Sequence, residues 1–229
     1  LKKIVIIVAG GSGSRMGTEI PKQFLMLQNK PILLHTITRF KEAIPEILVF
    51  VVLPKNQISF WIDLCAKYPD VPEHEIITGG ETRFHSSFHG IQAIHENEAI
   101  VAIHDGVRPF PELDKLKKAF EQVEKMGNAV FAVDSKDSIR LLNNHSNVYE
   151  AIPRDQVKII QTPQIFKLSS LRKAFANGYK SIFTDDASVI EMAGETIHLI
   201  EGNYENIKIT TPEDLMIAEV ILNKQQANG

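Results

Sequence analysis

The chain has 229 residues, 44% of them hydrophobic and 23% charged, with a formal net charge of −3, proportions that suit one large α/β domain with its own core. That balance gives no bulk attraction to nucleic acid or to an anionic membrane, so neither is an expected partner and any phosphate must be bound locally. The single cysteine, Cys65, excludes an internal disulfide framework and a cysteine-rich zinc site.

The first element is the run IVIIVA at 4–9, preceded by two lysines. It is far shorter than the ~20 apolar residues that cross a bilayer, and it ends in a glycine loop instead of a small-residue cleavage site. It therefore reads as a buried first strand, and a cytoplasmic protein is expected. Similar runs at 46–53, 99–104 and 128–133 predict further strands covered on both faces. Between them the spacing predicts helices over 32–43, 55–68, 82–96 and 112–126. In the last, Leu113, Leu116, Ala119, Phe120 and Val123 recur at helical spacing. Cys65 falls in the second, among Phe60, Trp61, Ile62 and Leu64, a packing position for a thiol. Such alternation predicts a three-layer, Rossmann-like α/β fold with a mostly parallel sheet, whose ligands bind beyond the carboxyl ends of the strands.

The pattern changes after Val133. Residues 134–155 are polar and lack a helical period, yet SIRLL and VYEAI flank a turn at 143–147. They predict a projecting β-arm. A lone hairpin is marginal in water, so this arm is expected to pack on a second subunit, a disordered linker being the alternative. The chain returns through VKIIQTPQIF, helices near 168–178 and 185–193, and a final strand–helix pair over 206–224. With no internal repeat or boundary, residues 1–229 read as one domain.

Chemistry-bearing residues cluster after the strands. The first strand runs into Gly10-Gly11-Ser12-Gly13-Ser14-Arg15-Met16-Gly17, where glycines let several N–H groups approach an anion. Neither the Walker A frame nor the dinucleotide fingerprint fits this loop. Arg15 and Lys22, seven residues apart on either side of the turn, can converge on one polyphosphate. In TGGETRFHSSFHG (78–90) a Gly-Gly turn precedes a serine-rich helix start able to read a base edge. Glu81, His85 and His89, at i, i+4 and i+8, leave a metal-binding face as the rival account. In AIHDGVRPF (102–110) Asp105 follows a buried strand, where a carboxylate suits Mg²⁺ or a helix N-cap. Thr211-Pro212-Glu213 reads as a helix start.

The strings AGGSGSRMG and PKQFL, followed in order by TGGETRFHSS, HDGVRP, IPRDQVKIIQTPQ, FTDDAS and IKITTP, resemble the nucleotidyltransferase superfamily. Within it they are similar to the polyol-phosphate cytidylyltransferases, over nearly the whole chain from Ile4 to about Leu222. The resemblance implies a nucleotidyltransferase fold and transfer of a cytidylyl group from CTP to a polyol phosphate, with Mg²⁺ or another divalent cation. 2-C-Methyl-D-erythritol 4-phosphate, on the non-mevalonate route to isoprenoids, is the expected acceptor, and ribitol 5-phosphate the alternative. It also implies residue roles. Ala9, Gly10, Gly11, Ser12, Gly13 and Gly106 cradle the nucleotide, while Gly80, Glu81 and Ser86 recognise cytosine. Arg15 and Lys22 stabilise the transition state, Asp105 holds the metal, and Arg108, Ser138, Thr162 and Thr184 face the acceptor. Arg154 and Lys208 position the attacking phosphate, Arg154 from the arm of a homodimer partner. Glu81 stands where many relatives have Asp, Gly106 where Ala is common, and Ser138 where Thr is found. A metal-dependent glycosyltransferase would carry a D-x-D motif, which is absent. A non-catalytic nucleotide-binding regulator would tolerate loss of Arg15 or Lys22, yet both are present.

Overall fold

A computed structural model describes residues 1–10, 20–143 and 145–227. The strands in chain order are β1 (Lys2–Val8), β2 (Met26–Leu27), β3 (Lys30–Pro31), β4 (Leu48–Leu53), β5 (Glu75–Thr78) and β6 (Ala99–Asp105). They continue with β7 (Asn128–Asp134), β8 (Ile139–Asn143), β9 (Val148–Ile152), β10 (Lys158–Lys167) and β11 (Leu199–Glu201). The helices are α1 (Ile32–Ala43), α2 (Ile58–Cys65), α3 (Arg83–Gln92) and α4 (Leu113–Met126), then α5 (Leu168–Phe175), α6 (Asp186–Met192) and α7 (Pro212–Ala227).

Seven strands form one sheet in the order β11-β7-β10-β6-β1-β4-β5. The β1–β4, β1–β6, β4–β5 and β7–β11 pairs are parallel, while β10 is antiparallel to both β6 and β7. The sheet is therefore mostly parallel, as the continuous apolar runs predict. Period-two alternation sends Val5 and Ile7 of β1 to one face and Ile4 and Ile6 to the other. The first face packs on α1, α2 and α4 through Leu33, Phe40, Trp61 and Phe120. The second packs on α3, α5 and α6 through Phe84, Ile91, Phe175 and Ile190. Three layers result. A smaller cluster seats α7, through Ala218 and Ile221, on Leu27, Val107, Phe110 and Ile209.

Three expectations need correction. The segment 206–210 is not a strand: Ile209 is buried and its N–H bonds to the Val107 carbonyl at 2.9 Å, but no ladder forms. The last strand is β11 instead, three residues on the sheet edge. β5 was not predicted either, because EIIT is short and only half-buried, with no contrast between faces. The predicted helix over 55–68 is a single 3-10 turn followed by α2, and α3 stops at Gln92 instead of residue 96. Cys65 is partly buried and packs against the first core, and burial pushes its thiol up to about 11, in keeping with a packing role.

The arm is formed as predicted from SIRLL and VYEAI: β8 and β9 pair antiparallel as a two-stranded sheet of their own. The Asn143 side chain accepts from the N–H groups of His145 and Ser146 at 3.0 and 3.3 Å, and Asn147 takes a φ of 53°. Asparagine serves both needs, a local acceptor and a tolerated left-handed backbone.

His104, next to last in β6, is fully buried with its ring edge against Phe40. Its Nε2–H donates to the Arg108 carbonyl at 2.9 Å. Burial pushes its pKa down to about 4, so the native ring stays neutral at pH values where the unfolded chain binds a proton. Between pH ~6.5 and ~4 the unfolded state therefore holds more protons, and stability falls as pH drops. The size is roughly 3 kcal/mol from this residue, and burial of His35 acts in the same direction. Urea titrations at a series of pH values should show that loss across the window, and His104→Gln, which keeps a donor for the Arg108 carbonyl, should flatten it. Equal slopes in both proteins would contradict this assignment.

Candidate active site

Parallel pairing aligns the carboxyl ends of β1, β4 and β6, with Val8 opposite both Val52 and Asp105. The segments leaving these strands are laced together by backbone hydrogen bonds: Ala9 to Val52, Gly79 to Leu53 and Gly106 to Val8, all within 2.9 Å. A cavity of about 220 Å³ opens there, walled by Ala9, Gly10, Lys22, Gly80, Glu81, Ser86, Asp105 and Lys208 among others. It lies where open α/β sheets bind ligands. Gly11, Ser12, Gly13 and Arg15 of the glycine loop lie outside the described residues.

Each wall has a local cause. Pro21 opens a 3-10 turn, Lys22–Phe24, whose first residue is Lys22. Gln23 is buried, and its amide donates to the Ala9 carbonyl at 2.8 Å and to Gln57 at 2.6 Å, tying the Lys22 turn to the end of β1. Across the cavity, Thr82 caps α3 by accepting from the His85 N–H. The Gly80 N–H donates to the Ser86 hydroxyl at 3.2 Å. A Cβ at Gly80 would stand 2.4 Å from that of His85, so the turn before α3 closes only around glycine. Gly106 backs the wall instead of facing the cavity. Its carbonyl accepts from Thr36 at 3.1 Å, and a Cβ there would press within 2.8 Å of the Ala9 Cβ.

Asp105 is the electrostatic centre. Its side chain is 10% exposed and three cations surround it. Arg83 faces Oδ1 at 3.4 and 3.5 Å, whereas Arg108 and Lys208 face Oδ2 at 3.4 and 3.0 Å. Burial alone would raise the carboxyl pKa; Arg83, Lys208 and Arg108 outweigh it and hold the group well below the usual carboxylate range. The Asp105 N–H donates to the Thr162 hydroxyl at 3.0 Å, which fixes the end of β6 against β10. Around that threonine the β10–β7 ladder shifts between Ile160 and Gln164, where Pro163 removes a donor from the strand. Arg108 is braced by the Asn206 carbonyl at 2.8 Å. Lys208 is held near the pocket because Ile209 is pinned to Val107 and because α7 starts just beyond. Asp214 accepts from Thr210 and Thr211, and Thr211 accepts in return, closing that helix start.

Most of the sequence-derived residues thus meet at one place, with Arg108 and Thr162 touching Asp105 from outside the cavity wall. Three do not. Thr184 is exposed in a small neighbouring cleft that shares Thr82 and Arg83 with the main cavity. Ser138 and Arg154 are exposed at the base of the arm, where an Arg154 Nη donates to the Lys136 carbonyl at 3.1 Å. The rival metal face is not built: His89 bonds the Thr78 carbonyl, His85 bonds the Thr82 hydroxyl, and the described residues contain no cluster of three or more His, Cys, Asp or Glu suited to a metal. Gln23, Arg83 and Asp186 were missed. Arg83 had a signal, since a cation as the first residue of a helix opposes the helix dipole and implies a nearby carboxylate.

The chain matches the family model for 2-C-methyl-D-erythritol 4-phosphate cytidylyltransferase over residues 3–224. It is 42% identical over 222 residues to the protein of that name from Bacteroides thetaiotaomicron, covering 97% of this chain and 100% of the relative. It is 38% identical over 229 residues to the one from Alkaliphilus metalliredigens, covering 98% and 95%. Among solved structures, 4-diphosphocytidyl-2C-methyl-D-erythritol synthase from Anaerococcus prevotii superposes with a TM-score of 0.82 at 29% identity, covering 97% of this chain and 99% of that one. The Francisella tularensis enzyme gives a TM-score of 0.79 at 31% identity, covering 96% and 99%. With the family model matched over residues 3–224 and the relatives covered nearly from end to end, the chain belongs to the 2-C-methyl-D-erythritol 4-phosphate cytidylyltransferase family.

Proposed function

We propose that this chain transfers the cytidylyl group of CTP to 2-C-methyl-D-erythritol 4-phosphate, giving the CDP-linked polyol and pyrophosphate. The observation that carries this reading is that one cavity is lined by Lys22, Gly80 and Ser86, assigned to the nucleotide, by Asp105, assigned to the metal, and by Lys208, assigned to the acceptor phosphate. An oxygen of the acceptor phosphate attacks the α-phosphorus of CTP, and the bond to the bridging oxygen of the leaving pyrophosphate breaks in line. The nucleophile is already an anion, so no general base is needed. The obstacles are repulsion between two anions and their alignment, both of which cations relieve. Lys22 and Arg15 are assigned to the charge developing at the α-phosphate and pyrophosphate. Lys208 and Arg154 are assigned to the attacking phosphate, with Thr162, Thr184, Ser138 and Arg108 around the acceptor. Gly80, Glu81 and Ser86 are assigned to the cytosine edge.

A divalent cation, Mg²⁺ or another, is further proposed to arrive on the triphosphate, and Asp105, an ionised carboxylate in the cavity wall, is the residue that would hold it. Bound there, the ion would supply neutralisation of the polyphosphate charge. The protein is further proposed to act as a homodimer. Leu141, Val148 and Tyr149 are each more than half exposed on the arm, an apolar surface suited to a second copy. Such a dimer would bring Arg154 to a partner's pocket. No described helix is long and apolar enough to cross a membrane, and a cytoplasmic setting is proposed because CTP is made there.

Release of pyrophosphate from CTP, measured across a panel of polyol phosphates, tests the reaction: the methylerythritol phosphate should be preferred, and preference for ribitol 5-phosphate would reassign the acceptor. Lys22→Ala should lower kcat by ~10²–10³ while the circular dichroism spectrum is unchanged, and near-wild-type turnover would remove Lys22 from the machinery. Mixing inactive Arg15→Ala and Arg154→Ala proteins should restore about a quarter of wild-type activity through mixed dimers carrying one complete site. No recovery after subunit exchange would mean that Arg154 acts within its own chain.

A further inference from the structure

One buried charge takes no part in the reaction as assigned. Asp186, in the first turn of α6, is 1% exposed and does not line the cavity. Its Oδ2 accepts from Nη1 of Arg83 at 2.5 Å, although the two residues lie 103 positions apart. Its Oδ1 accepts from the Ser87 hydroxyl at 2.8 Å. The other edge of the same guanidinium meets Asp105 at the longer distances of 3.4 and 3.5 Å. Two carboxylates therefore share one guanidinium, and the one outside the pocket holds it more closely.

That inequality has a chemical consequence. A guanidinium with one carboxylate in reach closes on it as a two-pronged fork at about 2.7–2.9 Å. Seated that way on Asp105, Arg83 would occupy the carboxylate that also meets Lys208. Drawn toward Asp186, it steadies Oδ1 of Asp105 loosely and leaves Oδ2 facing Lys208 at 3.0 Å. Packing does not call for an acid at 186, since an uncharged residue fills such a space without the cost of a buried ion. The same pair joins α3, which carries Ser86, to α6, whose N-cap loop carries Thr184. Arg83, Arg108 and Lys208 are thereby gathered around Asp105, on the side where the acceptor phosphate is expected.

We propose that Arg83 and Asp186 form a positioning pair for the acceptor phosphate: Asp186 seats the guanidinium so that Arg83 orients Asp105 without capturing it, and Asp105 in turn fixes the Lys208 ammonium. The proposal rests on the cytidylyl-transfer reading of the pocket. Asp186→Asn tests it, because the amide can still accept from Arg83 and bond Ser87 while the charge is lost. With methylerythritol phosphate and CTP as the probes, kcat should fall about tenfold or more and KM for the acceptor should rise, while the Kd for CTP, from calorimetry without acceptor, stays within about twofold of wild type. Asp186→Glu should recover most of the loss. Arg83→Lys, which keeps the charge and loses the fork, should resemble Asp186→Asn. Wild-type kcat and acceptor KM in Asp186→Asn would overturn the pair, as would a loss confined to CTP affinity. If Asp186→Asn proves unstable, the double variant Arg83→Met with Asp186→Leu removes both buried charges. Recovered Tm with low kcat then supports positioning, and recovery of both overturns it. Each series includes the wild-type chain, whose failure to transfer a cytidylyl group at all would reject the reaction itself.

Discussion

A carboxylate buried at the end of the central strand is the constraint around which the site is built. Removing an ion from water costs several kcal/mol even after relaxation, so Asp105 can stay ionised only if the fold delivers cations to it. They come from three separate places: Arg83 from the start of α3, Arg108 from the turn after β6, and Lys208 from the segment before α7. Each is braced elsewhere, by Asp186, by the Asn206 carbonyl, and by the Ile209–Val107 hydrogen bond that fixes the residue next to Lys208. The braces matter because three like charges converging on one acid repel one another. Without them the cluster would relax into whichever single pair is closest.

The sheet divides the labour. On the β1 and β4 side, short backbone bonds and two tightly packed glycines, Gly80 and Gly106, hold the turns that are assigned to the nucleotide. On the β10 side, the reversed strand presents Thr162 to the Asp105 N–H, and the Asn206 amide bonds the Thr162 carbonyl at 2.8 Å. Asp105 stands between the two halves. Arg83 belongs to the first half by sequence, through α3, and reaches the second through Asp186 on α6. A small shift in α6 would therefore be felt at Asp105 through a single side chain.

The sequence made some of this legible and hid the rest for physical reasons. Strands covered on both faces announce themselves, and β1, β4, β6 and β7 were plain from their apolar runs. The edge strands β5 and β11 carry little pattern because only three or four half-buried residues pair there. IKITT misled because Ile209 is buried as a strand residue would be, although only one backbone bond joins it to Val107. Glycine turns, Lys22 and Asp105 were readable because their chemistry depends on local spacing. Arg83 and Asp186 were not: each reads as an ordinary surface charge until the fold closes the gap between them. Gln23 was hidden differently, since a glutamine beside a lysine gives no hint that it will be buried and clamp a strand end.

The cations gathered around Asp105 also bear on the kind of catalysis the site can perform. A site built for proton transfer needs a group whose pKa sits near the working pH. Here the buried carboxylate is held far below that range, and the neighbouring histidine, His104, is neutral and turned toward a backbone carbonyl. Neither is poised to take a proton. What the described residues offer is a fixed field of cations, Lys22, Arg83, Arg108 and Lys208, in and beside a cavity also lined by backbone and hydroxyl groups. Such a field does little for a neutral nucleophile. It suits the joining of two phosphates, in which attacker and target are both anions and the barrier is mostly their repulsion.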